Sequence, residues 1–338
     1  KVLWNRKDGG AVGRFSTDGL EEVLNVFSAH LGNSKNALYL KNLFYEAYLN
    51  HNNLADATRF IANSLFGQYG LVIIDGDSKD LKSVFSPFVK NELLHQTSSI
   101  EVSKTIAQLE REYKIQVNPR EINLFYLQKD SRERIVFENG IYKVLNTEIE
   151  FSKEAILQEL ENHPEKFSPN VLLRPLYQEV ILPNLCYIGG GGEIAYWLQL
   201  KGFFDAIAVP FPILLLRNSV QVISSKQVKK LENLSISMEE IFLNQHELIS
   251  KKVNENSDIQ IQFDEKKAFL QNQFSELKQV AKQTDISFVN AVNAQERKQI
   301  KGLENLEKRL LKAEKRRHED LVQRITILQN ELFTNQSF

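Results

Sequence analysis

Apolar positions recur at helical spacing through much of the first two thirds of the chain. Across residues 17–31 they fall at Leu20, Val23, Leu24 and Phe27, with Thr17 or Asp18 placed to cap the first turn. The same period predicts helices over residues 38–49, 54–66, 81–94 and 98–113, and over 152–162 with Ser152 as cap. Between them lie runs of a different kind. Residues 70–77, Gly-Leu-Val-Ile-Ile-Asp-Gly-Asp, form a continuous apolar stretch. That pattern predicts a strand covered on both faces, as in a parallel α/β sheet. Residues 122–127 predict another strand, and 134–137 with 140–144 a hairpin bending at Glu138-Asn139-Gly140.

Further on, Pro175 suits the first turn of a helix and Pro183 its end. Residues 185–188 then predict a strand, four consecutive glycines follow at 189–192, residues 193–204 predict a helix and 211–217 a strand. Strand, glycines and helix in that order are found in phosphate-binding βα turns.

The pattern changes at about residue 225, which divides the chain into an α/β region, 1–225, and an α-helical region, 226–338. All eight prolines precede it, and Lys, Glu, Gln and Asn dominate after it. Phe263, Lys267, Leu270, Phe274, Leu277 and Ala281 alternate steps of four and three, a heptad seam with one charged member. Thr284-Asp285 offers a break and a new cap. Leu303, Leu306, Leu310 and Ala313 resume the heptad, Arg317 interrupts it, and Leu321, Ile325, Leu328 and Leu332 continue in a shifted register. Two helices folding back as an antiparallel coiled-coil hairpin fit this pattern. A single continuous coil requires the Asp285 region to stay helical.

Composition narrows the function classes. The 338 residues carry a net charge of -1, which argues against a nucleic-acid partner. No apolar run of about 18 residues predicts a membrane span, and no signal peptide is seen. The single cysteine, Cys186, excludes an internal disulfide and fits a reducing, cytoplasmic setting. Inside a predicted strand it reads as a structural thiol rather than a nucleophile. The six histidines are scattered without metal-ligand spacing, so no metal site is expected from them. The chain opens at Lys1 on a polar stretch around Trp4 and closes abruptly over Thr334–Phe338, so the natural protein is expected to extend further.

Candidate chemistry gathers at predicted strand ends. Free N–H groups and the dipole of a helix start attract an anion, and glycine lets it approach closely. Gly190, Gly191 and Gly192 suit that role, although they lack both the G-x-G-x-x-G spacing and the P-loop lysine, and taken alone they fit a flexible turn somewhat better. Glu193 is placed to bind a ribose or substrate hydroxyl; its ordinary role is a first-turn acid on the helix dipole. Tyr196 and Trp197 either stack on a ligand or belong to the core. Asp75 and Asp77 either hold an amino group or magnesium or simply form a turn. Asn123 opens a strand. Arg174 and Arg217 are candidate carboxylate ligands, against the plain alternative of surface ion pairs. Lys226, Lys229 and Lys230 either face a phosphate or start a solvated helix.

Several stretches together resemble one family: Asp56-Ala-Thr-Arg59, the run 70–77, Arg120 to Leu127, Arg174-Pro-Leu-Tyr-Gln178, and Tyr187 to Trp197. In order and spacing they are similar to the bacillithiol biosynthesis cysteine-adding enzymes. The likeness extends from these motifs through the coil. It implies a Rossmann-like core related to class I aminoacyl-tRNA synthetases, with helical insertions and a coiled coil supporting a homodimer. It also implies a cytoplasmic ligase joining cysteine to glucosaminyl malate, with ATP or ADP bound and magnesium as an optional companion. Family members carry an N-terminal nucleotide motif and a C-terminal tail that this sequence lacks. Many of them have Pro where this chain has Gly191, so a backbone donor is gained here. By analogy with cysteinyl-tRNA synthetases, the glycines and Glu193 would lie against adenosine. A rival reading is a non-catalytic, synthetase-like scaffold whose job is to display a dimerising coil. A polar cleft at the glycines separates an enzyme from a scaffold with that region filled by apolar side chains.

Overall fold

The structure is a computed structural model and describes residues 3, 4 and 10–333; the chain end singled out above, 334–338, lies outside them. Two compact units divide at Asn218 and Ser219, a few residues ahead of the change in composition.

The first unit opens with three helices, α1 (Leu20–His30), α2 (Lys35–Leu49) and α3 (Leu54–Phe66). Their starts are set by local chemistry. Gly19 enters α1 with φ 80°, so neither Thr17 nor Asp18 caps it. Thr17 Oγ1 instead donates to the carbonyl of His51. Ser34 caps α2 through the N–H of Ala37, and Asn53 caps α3 through that of Asp56. Two longer helices follow, α4 (Lys79–His95) and α5 (Thr97–Leu109).

The run 70–77 between α3 and α4 is not a strand. It is irregular backbone that turns at Gly76 and Asp77, it has no ladder partner among the described residues, and Val72 is 75% exposed. An apolar run becomes a strand only where a neighbour supplies its hydrogen bonds. Strands instead appear further on: β1 (Leu124–Leu127), β2 (Arg132–Glu138), β3 (Ile141–Val144), β4 (Glu150–Phe151), then α6 (Lys153–Asn162) and β5 (Phe167–Pro169). They form one sheet in the order β4-β3-β2-β1-β5, antiparallel throughout. Asn139 and Gly140 both have positive φ, as a two-residue hairpin turn requires. Ser152 caps α6 through Ala155 N–H.

Parallel pairing is confined to a second, two-stranded sheet. The chain passes through α7 (Leu173–Ile181), β6 (Cys186–Gly189), α8 (Gly191–Leu198), α9 (Lys201–Ala206) and β7 (Ile213–Leu216). β6 pairs with β7 from Cys186↔Ile213 to Gly189↔Leu216. The single helix expected over 193–204 is two short ones, because the chain turns at Gln199. Its side-chain oxygen accepts from the N–H groups of Gln116 and Val117, and its amide donates to Val117 O.

The core of this unit joins Phe85, Val89 and Leu93 of α4 to Val102 of α5, Leu124 and Tyr126 of β1, Ile156 of α6, Leu173 and Leu176 of α7, and Trp197 and Phe204. Full burial of such a side chain stabilises by about 1.5–3 kcal/mol. Beneath it sits a buried polar knot. Glu92 accepts from Ser98 Oγ, Ser98 N–H and Asn123 N–H; Asn123 Nδ2 also donates to Ser98 Oγ, while its Oδ1 accepts from Arg120 N–H and Asn170 Nδ2. Burial pushes the Glu92 carboxyl above its ordinary value, and these donors oppose that. Asn123 is fully enclosed and ties α4, α5 and β1 together, so its role is structural rather than that of a cleft ligand.

The second unit contains α10 (Ser225–Asn233), α11 (Gln245–Asn256), α12 (Asp264–Ala281), α13 (Ile286–Arg317) and α14 (Glu319–Leu332). Asp285 caps α13 through Ser287 and Phe288 N–H, so the continuous-coil alternative fails. The helix breaks again at His318, where Arg317 interrupts the heptad. α12 and α13 pack through Leu270, Phe274, Ala281, Val289 and Val292. Lys267, the charged member of the seam, pairs with Glu307, and Lys278 with Glu296. Leu277, expected in the seam, is half exposed. Of the basic cluster, Lys230 pairs with Glu331. Among the described residues no helix is long and apolar enough to cross a membrane.

Asn123→Ala removes the Nδ2 donor shared by Glu92 and Ser98 Oγ and the acceptor of Arg120 N–H and Asn170 Nδ2, all in a buried place. A loss of about 3 kcal/mol is expected, read as a lower urea midpoint with little change in slope.

Candidate functional site

The parallel pair builds the site. The ladder of β6 and β7 is extended by Arg217 N–H, which donates to Gly189 O at 2.8 Å, so the glycine turn and Arg217 leave the sheet together. Gly189 has a steric cause: a Cβ there would lie 2.7 Å from the Tyr187 ring. Gly190 is the N-cap of α8. Its N–H donates to Glu193 Oε2 at 2.8 Å, and Tyr187 Oη lies 3.3 Å from Oε1. The hydrogen bond from Gly190 N–H, helped by Tyr187 and by Arg174 and Arg217 nearby, holds the Glu193 carboxyl below its ordinary range. Glu193 therefore closes its own turn, a capping contact in addition to the helix-dipole role expected of a first-turn acid.

Gly191 and Gly192 differ from Gly189. Neither has positive φ, and a Cβ on either would meet nothing within 4 Å. The fold itself does not require glycine there, although each costs about 1 kcal/mol against Ala in a helix. Their N–H groups lie in the first turn of α8, which makes no intrahelical bonds.

Arg174 is half-buried near the start of α7. Its Nη1 donates to Gln178 Oε1 at 2.9 Å and its Nη2 to Tyr196 Oη at 3.0 Å. Arg174 and Arg217 have no carboxylate in ion-pair contact among the described residues. Tyr196 thus reaches the site through its hydroxyl. Trp197 does not: it is fully buried, stacked on Tyr187 at 4.1 Å between ring centres, and belongs to the core.

Arg174 also lines a cavity of about 480 Å³, with Gly76, Asp77, Lys82, Ser168 and Tyr177 among its walls. Asp75 Oδ1 accepts from Asp77 N–H at 2.9 Å, the turn-forming role. Asp77 is gripped by Arg14 and by Lys82, whose ammonium also donates to Glu165 O at 2.9 Å. Burial would raise the Asp77 carboxyl, but these two cations outweigh it and hold it below its ordinary value. Burial lowers the Lys82 ammonium, against the opposing pull of Asp77. Both Asp77 oxygens are committed to cations, so the pair Asp75 and Asp77 does not fit a magnesium ion or a substrate amine. No group of three or more His, Cys, Asp or Glu among the described residues is placed to hold a metal. Tyr177 Oη donates to Gly76 O at 2.6 Å, and burial pushes its phenol up to about 12. Arg14 and Lys82 escaped the sequence reading because Arg14 lies 63 positions from Asp77 in a short 3₁₀ turn and Lys82 sits in a helix among other lysines.

Residues 1–218 match the model for the bacillithiol biosynthesis BshC N-terminal Rossmann-like domain, and 220–338 that for the BshC C-terminal coiled-coil domain. Proteins of Flavobacterium johnsoniae and Flavobacterium psychrophilum are each 58% identical over 337 residues, and one of Christiangramia forsetii is 55% identical over 342. All of this chain is covered in each, against 64%, 63% and 64% of theirs, and each carries cysteine ligase BshC in its name. The chain spans less than two thirds of the length of these relatives. It belongs to the BshC family.

Because the folded carboxyl of Asp77 is depressed, its stabilisation is present above the unfolded value and is lost as pH falls through the folded one. Asp77→Asn is expected to cost about 2 kcal/mol at neutral pH by leaving Lys82 without its carboxylate. Urea melts at descending pH should show the gap to wild type closing in acid.

Proposed function

We propose that this BshC-family chain forms part of a cytoplasmic ligase that adds cysteine to glucosaminyl malate in bacillithiol synthesis, using ATP. One observation carries the reading: bare glycines at the start of α8 flanked by two arginines that lack carboxylate partners. Gly191 and Gly192 leave a cradle that the fold does not fill, and Arg174 and Arg217 supply charge beside it. An anion suits that place. Strand, glycine turn and helix in sequence support kinship with class I aminoacyl-tRNA synthetases.

The chain's own residues then divide the work. Gly191 and Gly192 N–H and Arg217 receive a phosphate of the nucleotide. Glu193 fixes the turn. Tyr196 and Gln178 aim Arg174, which stands between the turn and the Asp77 cavity and holds a carboxylate of cysteine or of the malyl group. ATP would supply the activation of the cysteine carboxyl, and the amine of glucosaminyl malate would displace the phosphate-bearing leaving group from it, forming the amide and releasing a proton. Positioning and charge, rather than a protein nucleophile, supply the rate. The polar groups that converge here, Arg174, Gln178 and Tyr196 with Asp77 and Lys82 beyond them, favour an enzyme over a bare scaffold. We read α12 and α13 as an antiparallel hairpin that joins two copies; Phe269, Val280, Ile286 and Phe288 leave apolar surface on it.

In the full-length protein, Gly192→Ala is expected to raise thermal stability slightly, by up to about 1 kcal/mol, while weakening nucleotide binding by calorimetry about tenfold or more. Unchanged affinity would remove the nucleotide from the glycine turn. Phe269→Glu with Val280→Glu is expected to halve the mass by light scattering; an unchanged mass would place the dimer contact elsewhere.

A further inference from the structure

One face of α13 carries a row of residues that packing does not explain. Lys298, Gly302, Asn305, Arg309, Lys312 and Arg316 follow one another at steps of four, three, four, three and four, so they line up along the helix. The row is about 27 Å long. Lys301 and Lys308 flank it. All of these residues are exposed, and none of their side chains has a hydrogen bond or ion pair among the described residues.

An exposed basic face is ordinarily solvated and interleaved with acids three or four places away that pair with it. Within α13 no Asp or Glu stands at such a distance from any member of the row. Like charges stand there instead: Lys298 with Lys301, Arg309 with Lys312, and Lys312 with Lys308 and Arg316. Such pairs weaken a helix. Glu304 is close in sequence to the flanking Lys301 and Lys308 but makes no ion pair with either among the described residues. Cations off the row are engaged: Lys267 with Glu307, Lys278 with Glu296, and Lys315 with Ser250.

Gly302 weakens the helix further. Its φ is not positive and a Cβ there would meet nothing within 4 Å, so neither backbone nor packing demands glycine. It leaves the helix backbone bare between Lys298 and Arg309. A bare place in a row of unpaired cations admits the close approach of an anionic chain.

What the row lacks narrows the partner. It holds no apolar residue, and the apolar side of α13 is packed on α12 through Val289 and Val292. A helix lying on a bilayer needs apolar side chains beside its cations, and a protein interface needs an apolar centre among them. Without aromatic residues the row offers no platform for unpaired bases. A duplex can be held through its phosphates alone. The net charge of -1 averages the row away, so composition gives no sign of it. We propose that this face of α13 binds the sugar-phosphate backbone of a nucleic acid double helix without regard to base sequence. Lys298, Arg309, Lys312 and Arg316 meet phosphates, and Gly302 marks the closest approach. The site stands on α13 alone and does not rest on the ligase reading.

Fluorescence anisotropy of a labelled duplex DNA of about 20 base pairs, titrated with the full-length protein, tests it. Affinity is expected to fall about a hundredfold or more between about 50 and 200 mM salt, as counterion release from four or more phosphates requires. Arg309→Gln with Lys312→Gln should flatten the log–log salt slope by about two. Lys266→Gln with Lys282→Gln, at exposed lysines near the two ends of α12, should leave it unchanged. Gly302→Leu should weaken binding about fivefold or more while thermal melts by circular dichroism show stability kept or raised. No binding at the lowest salt, an unflattened slope in Arg309→Gln with Lys312→Gln, equal flattening by the α12 pair, or full affinity in Gly302→Leu would overturn the assignment. Phosphatidylserine vesicles bound without duplex would give the row to a membrane, and a mass halved in Arg309→Gln with Lys312→Gln would give it to a second copy; either result overturns it as well.

Discussion

The candidate site depends on one backbone bond. Arg217 N–H donates to Gly189 O where the parallel pair ends. It ties the exit of β7 to the glycine turn after β6, so the Arg217 side chain, 27 positions away in sequence, stands beside Gly190. Tyr187 then dictates Gly189 by lying under it, and Glu193 dictates the first turn of α8 by taking the Gly190 N–H. Backbone pairing sets the place, and one ring and one carboxylate set the conformation. What remains, the bare face of Gly191 and Gly192, has no internal cause.

Around that place the acids are occupied and two arginines are not. Asp77 is held by Arg14 and Lys82, Glu193 by a backbone N–H, and Glu92 by the Ser98–Asn123 knot. Arg174 is held only by neutral oxygens, of Gln178 and Tyr196. A guanidinium aimed by neutral partners keeps its full charge for an incoming carboxylate, whereas one already paired would have to exchange partners. The acids serve the frame and the arginines face outward, a division that suits an anionic ligand.

How much of this was legible in the sequence follows from range. Features set by neighbours within a few positions were readable: the Ser152 and Asp285 caps, the Asn139-Gly140 hairpin, the strand, glycines and helix in order, and the Leu270, Phe274 and Ala281 part of the coil seam, while Leu277 and Leu306, expected in it, are exposed. Features set by distant partners were not. The run 70–77 has the composition of a buried strand but no neighbour to pair with among the described residues, and composition cannot supply one. Trp197 and Tyr196 are adjacent and chemically alike, yet one is core and the other presents its hydroxyl, because a helix turns successive side chains by about 100°. Asn123 looked like a strand-end ligand and is a buried strut, since its partner Glu92 comes from a helix 31 positions earlier.

The glycine run shows why local composition alone could not separate a turn from a site. It contains both. Gly189 ends β6, where Tyr187 leaves no room for a side chain, and Gly190 makes the turn and caps α8. Gly191 and Gly192 sit inside the helix, in ordinary backbone geometry with open space beside them. Glycine at such positions weakens the helix without relieving any strain. A destabilising choice with no structural return is the pattern expected where a surface must stay flat for a ligand. The turn and the proposed site are thus successive halves of one tetrapeptide, divided where α8 begins.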